Sequence, residues 1–339
     1  MTTQKNPSLP QPPFYSIANI NNLRDAALYP LATSSGARIR PGVLFRSAEV
    51  SKLDLSGWQA VHSVGVAHVF DLRSKPEVDK GWAGIVGNGV NGDDVRPGWI
   101  EAMEQAGVQR TWTPVFAEAD YSPERLAERY VKYMDEEVKG FVEAYEDILK
   151  NGGGAFRTIF LYLANLPAPR SEGGGADEKL GALIHCTAGK DRTGIFFGIL
   201  FDFLQVPRET IAEEYNLTEL GLRHIREDVV GRLMQSPGFK KYIASKMAGK
   251  PLSADDIASS LRTQDQEAGS EGAVEVPPEI LEKGRQAALR MIGARKESML
   301  KALEMVDGEF GGAEAYMRKH CGLGDEELEA LRRNLVLGA

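Results

Sequence analysis

Cysteine is scarce in this sequence: the 339-residue chain holds two, Cys186 and Cys321. Two thiols cannot build a disulfide scaffold, and a pair this far apart excludes a Cys-x-x-Cys metal site. The histidines His62, His68, His224 and His320 are scattered and share no metal-ligand spacing. No apolar run approaches the roughly 18 residues of a membrane-spanning helix. The opening MTTQKNPSLPQPP has no apolar core behind Lys5, so no secretory signal is expected. With so few cysteines, the expectation is a cytoplasmic protein. Basic residues are outnumbered, and the net charge is −8. That excludes nucleic acid, or an anionic membrane, as a partner held over a broad basic surface.

The chain is 42% hydrophobic and 26% charged, which is enough apolar material for a core. Residues 1–13, rich in proline and polar groups, read as a disordered tail, and 14–339 as a single domain. Strands are expected over Val43–Arg46 and Val66–Leu72, the second after a helix near Leu55–Val64. The glycine-rich stretch from Gly81 to Gly98 reads as a loop, and 81–120 as an insertion loop. Ser122-Pro123-Glu124 is a helix start. Apolar residues at Leu126, Tyr130, Met134, Val138, Phe141, Tyr145 and Leu149 then predict one long amphipathic helix. Asn151-Gly152-Gly153-Gly154 should stop it, with a second helix over Phe156–Asn165. Residues 167–178 read as a surface loop, 208–265 as helical and 265–278 as a linker. Helices resume at 279–307 and Asp325–Leu335. These flanking helices look too sparse in apolar residues to form a core of their own.

Leu180–Ile184 has the length of a buried strand, and Ile195–Val206 is apolar almost all round, the mark of a helix inside a core. Strand, turn and buried helix make an α/β unit, with the turn at the strand's C-terminal end, where ligands bind. The turn reads His185-Cys186-Thr187-Ala188-Gly189-Lys190-Asp191-Arg192-Thr193-Gly194. A cysteine is a useful nucleophile as thiolate, a form favoured at a helix N-terminus beside cations such as Lys190 and Arg192. The five residues between Cys186 and Arg192 suffice to wrap backbone N–H groups around a tetrahedral anion. Gly189 permits the curvature, and Arg192 offers two parallel donors to phosphate oxygens. The plain alternative is a buried cysteine in a turn with solvated loop charges. Seven specified residues at fixed spacing, each near ~5% usage, coincide by chance on the order of 10⁻⁹ per window.

The segment HCTAGKDRTG resembles the Cys-x5-Arg phosphate-binding loop of the protein tyrosine phosphatase superfamily. More narrowly, it is similar to the bacterial and fungal tyrosine-phosphatase-like family, whose loop carries adjacent lysine and aspartate before the arginine. The likeness continues in Asn22-Leu23-Arg24-Asp25, in Pro41–Ala48 (PGVLFRSA), in Phe70-Asp71-Leu72-Arg73-Ser74 and in Cys321–Leu328 (CGLGDEEL). It spans roughly 20–75 and 180–335 and is weak over 81–120. The resemblance implies an α/β fold with a central sheet flanked by helices and extra helical insertions, 208–265 being either a lid or plain scaffold.

It also implies a phosphatase acting on phosphotyrosine, with phosphoserine, phosphothreonine and phosphoinositides as further substrates, through a cysteinyl-phosphate intermediate. Cys186 attacks phosphorus, and Arg192 with the loop around Thr187, Ala188, Gly189, Lys190, Thr193 and Gly194 holds the phosphate. Asp191 and Asp71 compete as the acid that protonates the leaving oxygen. For Asp71 the alternative is a structural carboxylate held by Arg46 or Arg73. His185 braces the loop as a buried hydrogen-bonding partner. Thr193 donates its hydroxyl either to the cysteine sulfur or to nearby backbone. Lys190 either serves a second phosphate or lipid headgroup or is simply solvated. Arg24 and Arg46 read as structural salt bridges, and Cys321 as an ordinary thiol. No metal or cofactor is implied, and oligomeric state is open. The rival functions are an inositol-polyphosphate phosphatase and a phosphate-binding adaptor without catalysis; intact Cys186, Asp191 and Arg192 argue against the adaptor.

Overall fold

The computed structural model describes residues 9–29, 31–81, 95–117, 122–134, 137–169, 179–250, 252–263 and 276–338. Most of the expected tail, the glycine-rich part of 81–120, the loop after 169 and the linker near 265–278 lie outside the described residues.

The strands are β1 (Arg24–Asp25), β2 (Arg38–Ile39), β3 (Leu44–Ser47), β4 (Val66–Asp71), β5 (Gln109–Trp112), β6 (Gly181–His185) and β7 (Val336–Leu337). Five of them form a sheet in the order β1-β3-β6-β4-β5. β3, β6, β4 and β5 run parallel, and β1 is antiparallel at the edge. The registers Ser47↔His185 and Asp71↔His185 bring the carboxyl ends of β3, β4 and β6 level.

Fifteen helices are described: α1 (Leu55–Ser63), α2 (Lys75–Lys80), α3 (Trp99–Gln105), α4 (Pro123–Met134), α5 (Val138–Ala164), α6 (Asp191–Phe203), α7 (Arg208–Asn216), α8 (Thr218–Gly221), α9 (Arg226–Gln235), α10 (Pro237–Met247), α11 (Ala254–Thr263), α12 (Pro278–Ile292), α13 (Lys296–Met305), α14 (Ala313–Lys319) and α15 (Asp325–Leu335). Strand alternation distributes the side chains between two faces. Phe45, Val69 and Leu183 pack with Trp58 and Val61 of α1 and with Trp99 and Met103 of α3. Leu44, Phe70, Ala182 and Ile184 pack with α5, α6, α13 and α15. The architecture is α/β, a central mostly parallel sheet flanked by helices.

Three expectations need correction. The long amphipathic helix is two, α4 and α5, because its apolar stripe serves two cores. Tyr130 and Met134 join one cluster, while Tyr145, Ile148 and Leu149 join the sheet-side cluster. α5 then runs straight through Asn151-Gly152-Gly153-Gly154. A Cβ on Gly153 would collide with the His320 carbonyl, so this glycine serves close packing, and burial overrides its low helix propensity.

The 81–120 stretch is not a loop throughout: it contains α3 and β5. β5 completes the sheet beside β4, in register from His68↔Gln109 to Asp71↔Trp112. As an exposed edge strand its Gln-Arg-Thr-Trp sequence carries no apolar signal.

The flanking helices do form a core of their own. Ala127, Tyr130, Val230, Leu233, Phe239, Tyr242, Ile257, Ala287 and Ala288 are buried together by α4 and α9–α12. Alanines, with Gly238 against Tyr130 and Gly284 against Ile243, let these helices approach closely, so a count of large apolar residues understates the cluster. α7, by contrast, packs Ile211, Ala212 and Tyr215 on the main core.

Candidate active site

The loop between β6 and α6 is held from outside by its carbonyls. The Glu49 amide donates to Thr187 O (2.9 Å), Asn22 Nδ2 to Ala188 O (3.3 Å) and Arg46 Nη2 to Gly189 O (2.9 Å). A planar trans peptide points its N–H opposite its C=O. Fixing these carbonyls against the scaffold therefore turns the amides of Ala188, Gly189 and Lys190 to the concave side, an anion nest at the start of α6. Gly189 sits at φ +63, and a Cβ there would run into the Ser47 carbonyl. The expected need for glycine is real, and its cause is contact with β3 as well as curvature.

Arg24 and Arg46 serve this scaffold, as salt bridges. Arg24 Nε lies 2.7 Å from Glu214 Oε1 and Arg46 Nη1 lies 2.6 Å from Glu214 Oε2, all three side chains being buried. Arg24 also donates to Asn22 Oδ1, orienting the amide that holds Ala188.

Arg192 is gripped by a residue that the sequence reading missed. Its Nη1 and Nη2 donate to Glu77 Oε2 (2.7 Å) and Oε1 (2.6 Å) in a two-pronged pair. Glu77 lies on α2, and Thr187 Oγ1 (2.5 Å) and Ser74 Oγ (2.8 Å) donate to it as well. Burial alone would raise its pKa, but the Arg192 charge and these donors bring it down to about 2. The available signal was Ser74-Lys75-Pro76-Glu77, a capping-box spacing with proline in the first turn.

Asp71 does not reach the cavity. It is buried at the end of β4, beside β6, where Arg73 Nε (2.9 Å) and Nη2 (2.8 Å) and Arg110 Nη2 (2.8 Å) donate to it. Burial opposes ionisation, yet Arg73, His185 and Arg110 hold its pKa well below the usual carboxylate range. Asp71 is thus paired with Arg73 and Arg110 and absent from the cavity lining. His185 is fully buried, its Nδ1 3.1 Å from the Cys186 carbonyl and its Nε2 3.5 Å from Asp71 Oδ1. Burial lowers its pKa to about 4, against the pull of Asp71, so it is a neutral brace at pH 7.

Asp191 lines the cavity together with Cys186, Thr187, Ala188, Lys190 and Arg192. Lys190 is not solvated: it is 2% exposed. Its Nζ donates to the Met291 carbonyl at the end of α12, lies 3.3 Å from Asp191 Oδ1, and sits 5.1 Å from the Phe141 ring centroid. Thr193 Oγ1 is buried without a hydrogen-bond partner among the described residues, so neither the bond to sulfur nor the bond to nearby backbone is formed. Cys321 is buried away from this cavity, and burial pushes its thiol pKa up to about 12.

The cavity holds about 160 Å³. Its floor is the loop, and its roof is Leu126, Tyr130 and Tyr133 of α4, Val229 and Leu233 of α9, and Met291 and Ile292 of α12. The second core thus stands over Cys186, which is only 2% exposed.

A Cys-x5-Arg loop at the carboxyl end of the central parallel strand, with an acid and a fixed arginine on one cavity, defines a phosphatase of the protein-tyrosine and dual-specificity class. The chain belongs to the tyrosine phosphatase family, whose sequence model matches residues 15–337. It is 25% identical over 271 residues to the triple specificity protein phosphatase PtpB of Mycobacterium tuberculosis, covering 74% of this chain and 88% of that protein. It is 23% identical over 290 residues to a tyrosine-protein phosphatase of Nostoc commune, covering 86% of this chain and 73% of that protein.

Proposed function

We propose that this phosphatase hydrolyses phosphotyrosine in proteins through a cysteinyl-phosphate intermediate, with phosphoserine and phosphothreonine as secondary substrates. The carrying observation is that Cys186, Asp191 and Arg192 meet on one cavity over an inward-facing amide nest. Cys186 sulfur attacks phosphorus while the bond to the leaving oxygen breaks, and Asp191 supplies that oxygen's proton. Arg192, held flat by Glu77, and the loop amides stabilise the equatorial oxygens. Asp191, now ionised, takes a proton from water; the water oxygen bonds phosphorus, the S–P bond breaks, and phosphate leaves. Asp191 is preferred to Asp71 because Asp71 is buried against Arg73 and Arg110 and does not line the cavity.

The cavity walls favour an aryl phosphate over a polyphosphorylated headgroup. Tyr130, Ile148, Leu222, Val229 and Ile292 line it. Of its cations, Arg226 faces Glu219, Arg129 lies 3.6 Å from Asp147, and the Lys190 ammonium donates to the Met291 carbonyl. The triple specificity in the name of the Mycobacterium relative supports tolerance beyond phosphotyrosine, and phosphoinositides rank as a lesser substrate on this reading. A protein-borne phosphate reaches the buried Cys186 only if the roof parts, so α4 and α9–α12 act as a lid. We read the enzyme as cytoplasmic, both cysteines being free thiols suited to a reducing compartment.

The test is turnover of phosphotyrosine peptide, phosphoserine peptide and phosphoinositide in chelator by wild type and Cys186→Ser. Activity on the tyrosyl peptide that the variant loses supports the reading. Equal inertness of both proteins identifies a binding adaptor, and a preference for the phosphoinositide overturns the substrate assignment.

A further inference from the structure

Asp191 is contacted by Tyr145, and Tyr145 by Tyr215, two tyrosines that have no part in the mechanism above. Tyr145 of α5 donates its hydroxyl to Asp191 Oδ1 at 3.2 Å. The Tyr145 and Tyr215 hydroxyls are 2.5 Å apart, and both side chains are buried, at 0% and 1% exposure. A phenol has a single proton to donate. If Tyr145 gives its own to Asp191, the proton between the two hydroxyls belongs to Tyr215, and the chain has a direction: Tyr215 to Tyr145 to Asp191. Burial, followed for Tyr145 by the neighbouring Tyr215 and Asp191, raises the pKa of both phenols, so both remain donors across the working pH range.

The end of the loop motif makes room for this arrangement. A Cβ on Gly194 would stand 2.8 Å from the Tyr215 ring, so glycine there lets Tyr215 lie against the first turn of α6. Lys190 Nζ approaches the same carboxyl oxygen, 3.3 Å from Oδ1. Oδ1 therefore faces two donors and no acceptor among these contacts.

We infer that Tyr215 and Tyr145 form a directed hydrogen-bond relay which, with Lys190, keeps Asp191 Oδ1 as an acceptor, so that Oδ2 carries the proton given to the leaving oxygen. The inference rests on Asp191 being the acid. In the first step the Oδ2–H bond breaks, its proton bonds the leaving oxygen, and the P–O bonding pair stays with that oxygen. In the second, Oδ2 takes a proton from the attacking water. Tyr145 is a positioning residue: it stops the carboxyl from turning and presenting its acceptor edge to the ester. The charged and titratable groups around Asp191 are Cys186, Lys190 and Arg192 of its own loop, Tyr133 of α4, Tyr145 of α5 and Tyr215 of α7, with Arg295 near Lys190 and Arg129 near Tyr133.

The experiment compares Tyr145→Phe, Tyr215→Phe and Asp191→Asn with wild type over pH. One substrate is p-nitrophenyl phosphate, whose leaving group departs without a proton; the other is an alkyl phosphate, whose leaving group needs one. Tyr145→Phe keeps the buried ring. It should lower kcat on the alkyl phosphate roughly tenfold and on the nitrophenyl ester by no more than about twofold. It should also move the alkaline limb of the alkyl profile to higher pH, because ionised Asp191 loses a donor. Tyr215→Phe should act in the same direction and less. Equal losses on both substrates with an unmoved limb in Tyr145→Phe, while Asp191→Asn remains selective for the alkyl ester, overturn the relay alone. Loss of that selectivity in Asp191→Asn itself overturns the acid assignment and the relay with it.

Discussion

Glu77 and Arg192 are joined by two near-parallel hydrogen bonds of 2.6 and 2.7 Å, across 115 residues of sequence. Glu77 is buried and Arg192 nearly so, at 1% and 12% side-chain exposure, so the guanidinium is set in one plane before substrate arrives. Preorganised charge of this kind stabilises a transition state without reorganisation during the reaction.

Glu77→Gln keeps the shape of the side chain and removes its charge. Inhibition by inorganic phosphate should weaken and kcat/KM should fall, each by roughly tenfold or more, since Arg192 loses the two-pronged carboxylate that preorganises it. Steady-state kinetics with phosphate as competitive inhibitor reads both. Unchanged values would show that Arg192 positions itself.

Asp71→Asn separates scaffold from chemistry. The substitution leaves Arg73 and Arg110 without their shared carboxylate and should lower unfolding stability by about 3–5 kcal/mol. The alkaline limb of the rate profile should stay where wild type has it. Losing that limb in Asp71→Asn but retaining it in Asp191→Asn would reverse the roles of the two aspartates.

His185 makes stability pH-dependent. Its pKa is about 4 in the fold against 6.5 for the free side chain. Between these values the unfolded chain binds a proton that the folded chain refuses. The contribution is whole above pH ~6.5 and is lost as pH falls toward ~4, a change of roughly 3 kcal/mol. Asp25 works in the opposite sense, since burial raises its pKa to about 6 and acid therefore favours the fold. Denaturant titrations of wild type and His185→Asn from pH 7 to 4.5 isolate the histidine: the difference between the two proteins should shrink with acid. A constant difference would contradict a neutral buried ring.

Ile257 is fully buried in the second core and does not line the cavity. Ile257→Ala should weaken that cluster by about 2–4 kcal/mol and let the roof part more often. Cys186 should then be alkylated by iodoacetamide several-fold faster, with turnover of a small aryl phosphate little changed. An unaltered alkylation rate would mean that the roof is rigid and access runs by another route.

Much of the site was legible before any folding was considered, because its parts are contiguous. Cys186, the amides, Asp191 and Arg192 fall within seven residues, and strand, tight turn and helix suffice to aim them at one point. The buried character of β6 and α6 was equally plain from apolar runs. The rest depended on contacts across long sequence separations. Gly152-Gly153-Gly154 reads as a helix stop, until His320 is brought against Gly153. Gln109–Trp112 reads as loop, until β4 offers its edge.

The 185–194 loop, its cysteine and its helix follow from local spacing alone, since the forces that shape a tight turn act between neighbours. Which aspartate lines the cavity, what holds Arg192 and what roofs Cys186 were decided only in the folded chain. Burial and ion pairing are properties of the packed neighbourhood: Asp71 and Asp191 are the same chemical group, and Arg73 and Arg110 around the one, and the cavity beside the other, make them different.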